Sequence, residues 1–378
     1  MDSAAPRAAG SAALVACLRL IRSENVGPVT FRQLMARFGT ADAALAALPE
    51  LARRGGRRRP IAVASRAAAE REVAAMEALG GQFLTLGDAD YPPALAALDD
   101  APPVLAVLGH PHLLKQNAVA MVGARNGSAN GRRLARQLAA ELGQGGLVVV
   151  SGLARGIDAA AHEGALKTGT VAVVAGGVDV VYPEQNTALY EEIRARGTIV
   201  SEMPPGTVPQ ARHFPRRNRL ISGCALGTLV VEAALRSGSL ITARYAADQG
   251  REVLAVPGSP LDPRARGCNG LLRQGAVLVE TARDVMEALS GPLCQPIAEA
   301  KTPEFQAAPP FAPSESALAD ARREVESLIG PTPVVVDELI RQCQVSAALV
   351  QMVMLELELA GRAERHPGNR IAAIAGVS

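Results

Sequence analysis

The feature that most limits the fold is an alternation. Runs rich in β-branched or small apolar residues fall at Ala118–Val122, Leu147–Val150, Val171–Ala175, Thr198–Ser201, Thr228–Val231, Val253–Val256 and Ala276–Val279. Helical patterns separate them near Arg132–Leu142, Ala159–Lys167, Ala188–Arg196, Leu240–Asp248, Gly270–Gln274 and Ala282–Leu289. Strand and helix repeated this often close only through right-handed crossovers, so the expected fold class is α/β: an extended Rossmann-like, doubly wound, mostly parallel sheet. Such sheets bind ligands outside the carboxyl ends of their strands, where loop amides and helix N-termini converge. Those loops are where chemistry is to be sought.

Val148-Val149-Val150 reads as a strand buried on both faces, and the Ala-rich run after Asp158 as a helix. Ser151 to Gly156 is then the loop between them. Gly152 and Gly156 let the backbone come close to a ligand, and Arg155 adds a positive charge suited to phosphate. A plain turn capped by Asp158 is the structural alternative. The strand at 118–122 ends in a second such loop, Gly123-Ala124-Arg125-Asn126-Gly127. Its glycines recur every fourth residue, which is not the G-x-G-x-x-G fingerprint, and no G-x-x-x-x-G-K-[ST] occurs. NAD and ATP chemistry are disfavoured, and no cofactor is expected. Gly238 and Ser239 open a further helix, where hydroxyls of Ser237, Ser239 and Thr242 suit a phosphate oxygen.

Arg212-His213-Phe214-Pro215-Arg216-Arg217-Asn218-Arg219 gathers arginines around a ring in a chain that has no Trp and only 3% aromatics. Read as a loop, it offers phosphate contacts, a stacking face and, at Asn218, a base-edge or loop hydrogen bond. The alternative is an Arg-rich loop ion-paired to Glu202 and Glu232. Ser151, Asp158 and His162 do not read as a hydrolytic triad, since Ser151 lacks a G-x-S-x-G elbow. Spacing for a metal site is also missing.

The net charge is only +2, so polyanion binding must come from a local patch. The five cysteines lie far apart and no long apolar run occurs, which fits reduced thiols and a cytoplasmic protein without a membrane segment. Ahead of the alternation, residues 11–50 pattern as short helices broken by Gly27-Pro28: a structural bundle, or a helix-hairpin-helix module. Arg53-Arg54-Gly55-Gly56-Arg57-Arg58-Arg59 is the densest basic run, read as a solvated loop or a nucleic-acid patch. The expected domains are a helical one (1–80), the Rossmann-like one (81–290), a Pro/Ala-rich linker (291–316) and a winged helix (317–378). The last is read from helices at Ala317–Ile329, Val336–Cys343 and Ala347–Ala360, with Ser346 as a cap, and two strands around Pro367-Gly368. Ala347–Ala360 carries no Lys or Arg, which predicts a protein-contact or regulatory role rather than groove reading.

Val122-Gly123-Ala124-Arg125, Ser151 to Asp158 with His162, Tyr182-Pro183 with Asn186, Ser201-Glu202, Phe214 to Arg219, Ser237 to Ala243 and Ala255 to Gly258 follow one another in order. Across residues 82–290 this resembles the DNA-processing protein A (Smf) family. The resemblance implies a non-catalytic, dimeric protein that binds single-stranded DNA and helps load the RecA recombinase during natural transformation. It implies a DNA pocket lined by Arg125, the Ser151 to Gly156 loop with Gly152 and Arg155, Lys167, Phe214 and the run Arg216, Arg217, Asn218 and Arg219; Gly123, Gly238 and Ser239 join the expected DNA-binding residues from the loops read above. Ala124 stands where the family commonly has Ser, and Asn130 where a Tyr is usual. The rival expectation is a nucleotide-processing, phosphoribohydrolase-like enzyme, from Gly227-Thr228 with Glu232, although the Pro-Gly-Gly of that motif is absent.

Overall fold

A computed structural model describes residues 4–293, 314–366 and 368–374. The chain forms two compact units: one joins the N-terminal residues through Glu70 to the C-terminal winged helix, and the other runs from Arg71 through the twelfth helix. The N-terminal helices are α1 (Ala4–Arg22), α2 (Pro28–Phe38), α3 (Ala41–Arg54) and α4 (Arg66–Ala78), the last carrying the boundary between units. Pro28 starts α2 at a position where its missing N–H costs nothing, and Thr40 caps α3 by accepting from the Ala43 N–H.

The central unit runs β1 (Gln82–Thr85), α5 (Pro93–Ala96), β2 (Val104–Gly109), β3 (Ala118–Val122), α6 (Ala129–Gln144), β4 (Val148–Ser151), α7 (Ile157–Ala165) and β5 (Thr170–Val173). It continues through α8 (Thr187–Arg196), β6 (Thr198–Ser201), α9 (His213–Gly223), β7 (Gly227–Val230), α10 (Ser239–Asp248), β8 (Glu252–Ala255), α11 (Arg266–Arg273), β9 (Val277–Leu278) and α12 (Ala282–Leu293). The strands form one sheet in the order β1-β2-β6-β5-β4-β3-β7-β8-β9, parallel except where β2 meets β1 and β6. Every residue of β3, β4, β5, β6 and β7 is buried, with apolar clusters on both faces of the sheet. Winding reverses between β3 and β7, so the loops after β3, β4 and β7 meet at the switch point.

The Arg-rich segment differs from the sequence reading: it is helix α9, not a loop. Pro215 lies in its first turn, where a missing N–H is tolerated, and Leu220 and Ile221 anchor it to the sheet. Polar residues in the first two turns conceal that amphipathic pattern.

The remaining elements are α13 (Glu315–Leu328), β10 (Val334–Val335), α14 (Val336–Gln342), α15 (Ala347–Ala360), β11 (Ala363–His366) and β12 (Arg370–Ala373), a winged helix-turn-helix with sheet order β10-β12-β11. Ser346 caps α15 as expected. Most of the linker, including Pro303, Pro309, Pro310 and Pro313, lies outside the described residues, as does Pro367.

Helix α15 is apolar on every side, and two cores claim it. Val350, Val353, Met354 and Leu357 fill the winged-helix core, while Leu355 and Leu359 join Leu20, Phe31, Leu34 and Leu48 of the N-terminal bundle. Buried Glu358 accepts from Thr30 Oγ1 at 2.9 Å and pairs with Arg365 at 2.6 Å; fully buried Glu356 pairs with Arg322 at 2.5 Å. Asn25 Nδ2 donates to the Leu359 carbonyl at 3.1 Å. Gly55 rests so closely on the Glu356 carbonyl that a Cβ has no room there. Helix α15 therefore packs against the chain's own N-terminal bundle as well as filling the winged-helix core.

Candidate nucleic-acid interface

The two glycine loops adjoin. Gly156 takes φ +82°, and a Cβ there would collide with the Ala124 and Arg125 carbonyl oxygens. The Ile157 N–H donates to the Ala124 carbonyl at 3.3 Å, locking the loop after β4 against the loop after β3. Arg125 and Arg155 are both exposed on these joined loops. The first turn of α9 delivers Phe214 to the same place, its ring centroid 5.4 Å from the Arg125 guanidinium carbon and 6.0 Å from that of Arg217. Both spacings are within cation–π reach. Tyr182, on the loop after β5, lies 5.5 Å from the Phe214 ring at a tilt of 54°. Asn218 Nδ2 reaches the Gly238 carbonyl at 3.4 Å, tying α9 to the exposed turn before α10, while Ser239 is buried and its hydroxyl meets that of Ser237.

Several expected phosphate contacts face the wrong way. Ser151 is a fully buried residue of β4 whose hydroxyl donates to the Met121 carbonyl at 2.6 Å. The N–H groups of Gly152 and Ala154 donate to Asp158 Oδ2 at 3.2 and 3.4 Å, and that of Gly123 donates to the same carboxylate. At the start of α6, the Ser128 N–H and hydroxyl donate to Glu232 at 2.8 and 2.5 Å. The amide cradle expected for a phosphate is thus occupied by two of the chain's own carboxylates. The cause is elementary: amides at a closed loop need acceptors, and a carboxylate at a helix start is favoured by the helix dipole.

Arg217 is only 6% exposed, its Nη1 donating to the Gly152 and Val173 carbonyls at 2.5 Å with Asp158 beside it. Burial lowers its pKa to about 10 against the opposing pull of Asp158, so it stays cationic at neutral pH. Burial likewise pushes the Asp158 carboxyl upward, while Arg217 and the three amides hold it down. A Cβ on Gly152 would strike this guanidinium. Arg219 is equally enclosed, donating to the Asp100 carbonyl and to Glu202, both at 2.5 Å. Both arginines pin loops instead of presenting charge, which corrects the expectation that they hold phosphates. Arg216 is half exposed and 2.8 Å from Glu202. Lys167 is exposed but follows α7 and precedes β5, so it stands at the amino rim of the sheet, opposite the glycine loops. The helix returning from β4 enforces that position.

His162 is fully buried, with Nδ1 2.7 Å from Thr170 Oγ1, whose own hydroxyl donates to the Val149 carbonyl. The imidazole therefore donates from Nδ1, and burial lowers its pKa to about 3. It makes no hydrogen bond to Ser151, so the triad geometry is absent. A cleft of about 430 Å³ beside α6 is lined by Arg133, Gln137, Glu232 and Asp262, with the Glu232 carboxylate where a nucleotide phosphate would need the helix start. Sequence reasoning left Tyr182, Asp158 and Glu232 out of the site. A lone ring beside Pro183 in an aromatic-poor chain is the signal for Tyr182; Asp158 is legible as a loop cap and Glu232 as an ion-pair partner, though neither as the acceptor for these amides.

Among the described residues, no group of His, Cys, Asp and Glu is placed to hold a metal, and no helix is long and apolar enough to cross a membrane. Residues 82–290 match the family described as DNA recombination-mediator protein A, residues 11–75 the DprA-like N-terminal HHH domain, and residues 309–369 the DprA winged helix domain. The chain belongs to the DNA recombination-mediator protein A (DprA/Smf) family. It is 38% identical to Protein Smf of Escherichia coli over 74% of each chain. It is 37% identical to the putative DNA processing protein DprA of Mycobacterium tuberculosis over 97% of this chain and 90% of that one. Among solved structures, DprA of Streptococcus pneumoniae is similar at 40% identity and TM-score 0.55, covering 59% of this chain and 77% of its own. DNA processing protein A of Helicobacter pylori, whose single-stranded DNA binding mode has been described, is similar at 30% identity and TM-score 0.52, covering 57% and 98%.

Proposed function

We propose that this chain binds single-stranded DNA across the carboxyl rim of its sheet, with phosphates on Arg125, Arg155 and Arg216 and an unpaired base at the aromatic pair to which Phe214 belongs. The carrying observation is the exposed Arg125 guanidinium 5.4 Å over the Phe214 ring, on loops that Gly156 and buried Arg217 hold in register. A cation and a ring side by side suit a flexible strand, which offers phosphate and unpaired base faces together. Gly238 and the turn that Asn218 holds would border the strand, and Ser239 would support that turn from beneath. The Helicobacter pylori relative, whose own description is of a single-stranded DNA binding mode, supports the same ligand class.

On this reading the protein acts without catalysis inside the cell, as a homodimer that passes incoming strands to the RecA recombinase in natural transformation. The recombination-mediator family description supports that role. The nucleotide-processing alternative is disfavoured because Glu232 occupies the anion position at the start of α6.

Three arginines on phosphates set the expected salt dependence. At roughly −0.7 per phosphate on a single strand, the slope of log affinity against log salt should be about −2. Titrating oligothymidylate by anisotropy at several salt concentrations measures it. A slope near zero overturns the reading.

A further inference from the structure

Tyr182 carries the inference. Its side is 49% solvent-exposed, while Phe214 is only partly so and already has the Arg125 and Arg217 guanidinium groups against its ring at 5.4 and 6.0 Å. The Tyr182 loop is also fastened. Asn186, buried, donates from Nδ2 to the Leu153 carbonyl at 2.8 Å, the Asn186 N–H donates to the Pro183 carbonyl at 3.0 Å, and the Tyr190 hydroxyl donates to the Val178 carbonyl at 2.5 Å. An aromatic ring held half in water by a pinned turn, beside an arginine patch, is placed for something flat. The 54° tilt between the two rings leaves no parallel slot, so a base cannot slide between them. A base would have to stack on an outer face, and of the two rings Tyr182 is the more exposed.

We propose that Tyr182 is the principal base-stacking residue of this rim and that Phe214 supports it from behind while orienting Arg125. The inference rests on the single-stranded DNA reading above and assigns the two kinds of contact to different residues. Arg125, Arg155 and Arg216 recognise phosphate, and Tyr182 recognises the exposed face of an unpaired base. Bases within a duplex are stacked on both sides and have no free face to offer, so Tyr182 also favours single strands over duplex.

The test compares two ligands of equal length, oligothymidylate and an abasic deoxyribose-phosphate strand, on the full chain. Tyr182→Ala should weaken oligothymidylate binding about tenfold, the factor that roughly 1.4 kcal/mol of stacking supplies, and leave abasic binding unchanged. Tyr182→Phe should retain the affinity for both. Because the chain has no Trp, tyrosine emission gives a second reading: oligothymidylate should quench the natural protein more than Tyr182→Phe. Equal losses on both ligands, or no loss on oligothymidylate while the natural protein binds it, overturn the role of Tyr182 and leave the DNA reading standing. A natural protein that binds neither strand overturns both.

Discussion

Arg217→Ala is expected to destabilise the central unit by roughly 3–5 kcal/mol, the usual cost of removing one partner from a buried ion pair. The substitution leaves Asp158 buried without its opposite charge and takes a donor from the Gly152 and Val173 carbonyls. Arg217→Lys should restore little, because a flexible ammonium does not hold the fixed position from which Arg217 Nη1 donates to both carbonyls. Denaturant unfolding followed by circular dichroism measures the loss, and single-stranded DNA binding should fall together with stability, because Arg217 holds the loops that carry Arg125 without itself taking a phosphate. An Arg217→Ala protein of unchanged stability that had lost DNA affinity would show Arg217 to be a phosphate ligand after all.

Leu359→Asp, in the other unit, is the second large effect. Leu359 is fully buried in the cluster that α15 shares with α1, α2 and α3. Leucine truncation alone at such a site costs roughly 2–5 kcal/mol, and a carboxylate added next to buried Glu358 adds desolvation and like-charge repulsion. Since one helix fills two cores, amide protection should drop together in α2, α3 and α15 when followed by hydrogen exchange. Strands β3, β4 and β7 should keep theirs. Loss confined to α15 would mean that the N-terminal bundle is stable without the winged helix.

The β-branched runs ending in glycine made the parallel sheet and its ligand rim readable from residues alone, and Ala347–Ala360 announced its burial by lacking a polar face. What that helix packs against was not legible, because Thr30 and Glu358 stand 328 positions apart. Helix α9 was hidden by its arginines. Charge predicts exposure for most residues, but an arginine facing Asp158 or Glu202 across a loop is better buried; the Glu202 pairing was open in the sequence as an alternative, whereas only the fold brings Asp158 near Arg217. The glycine loops lie at the strand ends where the sequence puts them, yet whether their amides were free depended on Asp158, legible only as an alternative cap, and on Glu232, whose reach to Ser128 needs the fold. Lys167 was placed at the rim by resemblance, although a residue between a returning helix and the next strand belongs to the opposite end by topology.

The central claim is that exposed Arg125, not the buried arginines, anchors a single strand at the rim. It is tested most directly by titrating oligothymidylate against Arg125→Ala beside the natural protein, with thermal unfolding recorded on both. The expected result is an unchanged melting temperature, affinity lowered about tenfold or more, and a salt slope smaller by about 0.7. Unchanged affinity and slope with an intact fold would place the strand elsewhere on the molecule.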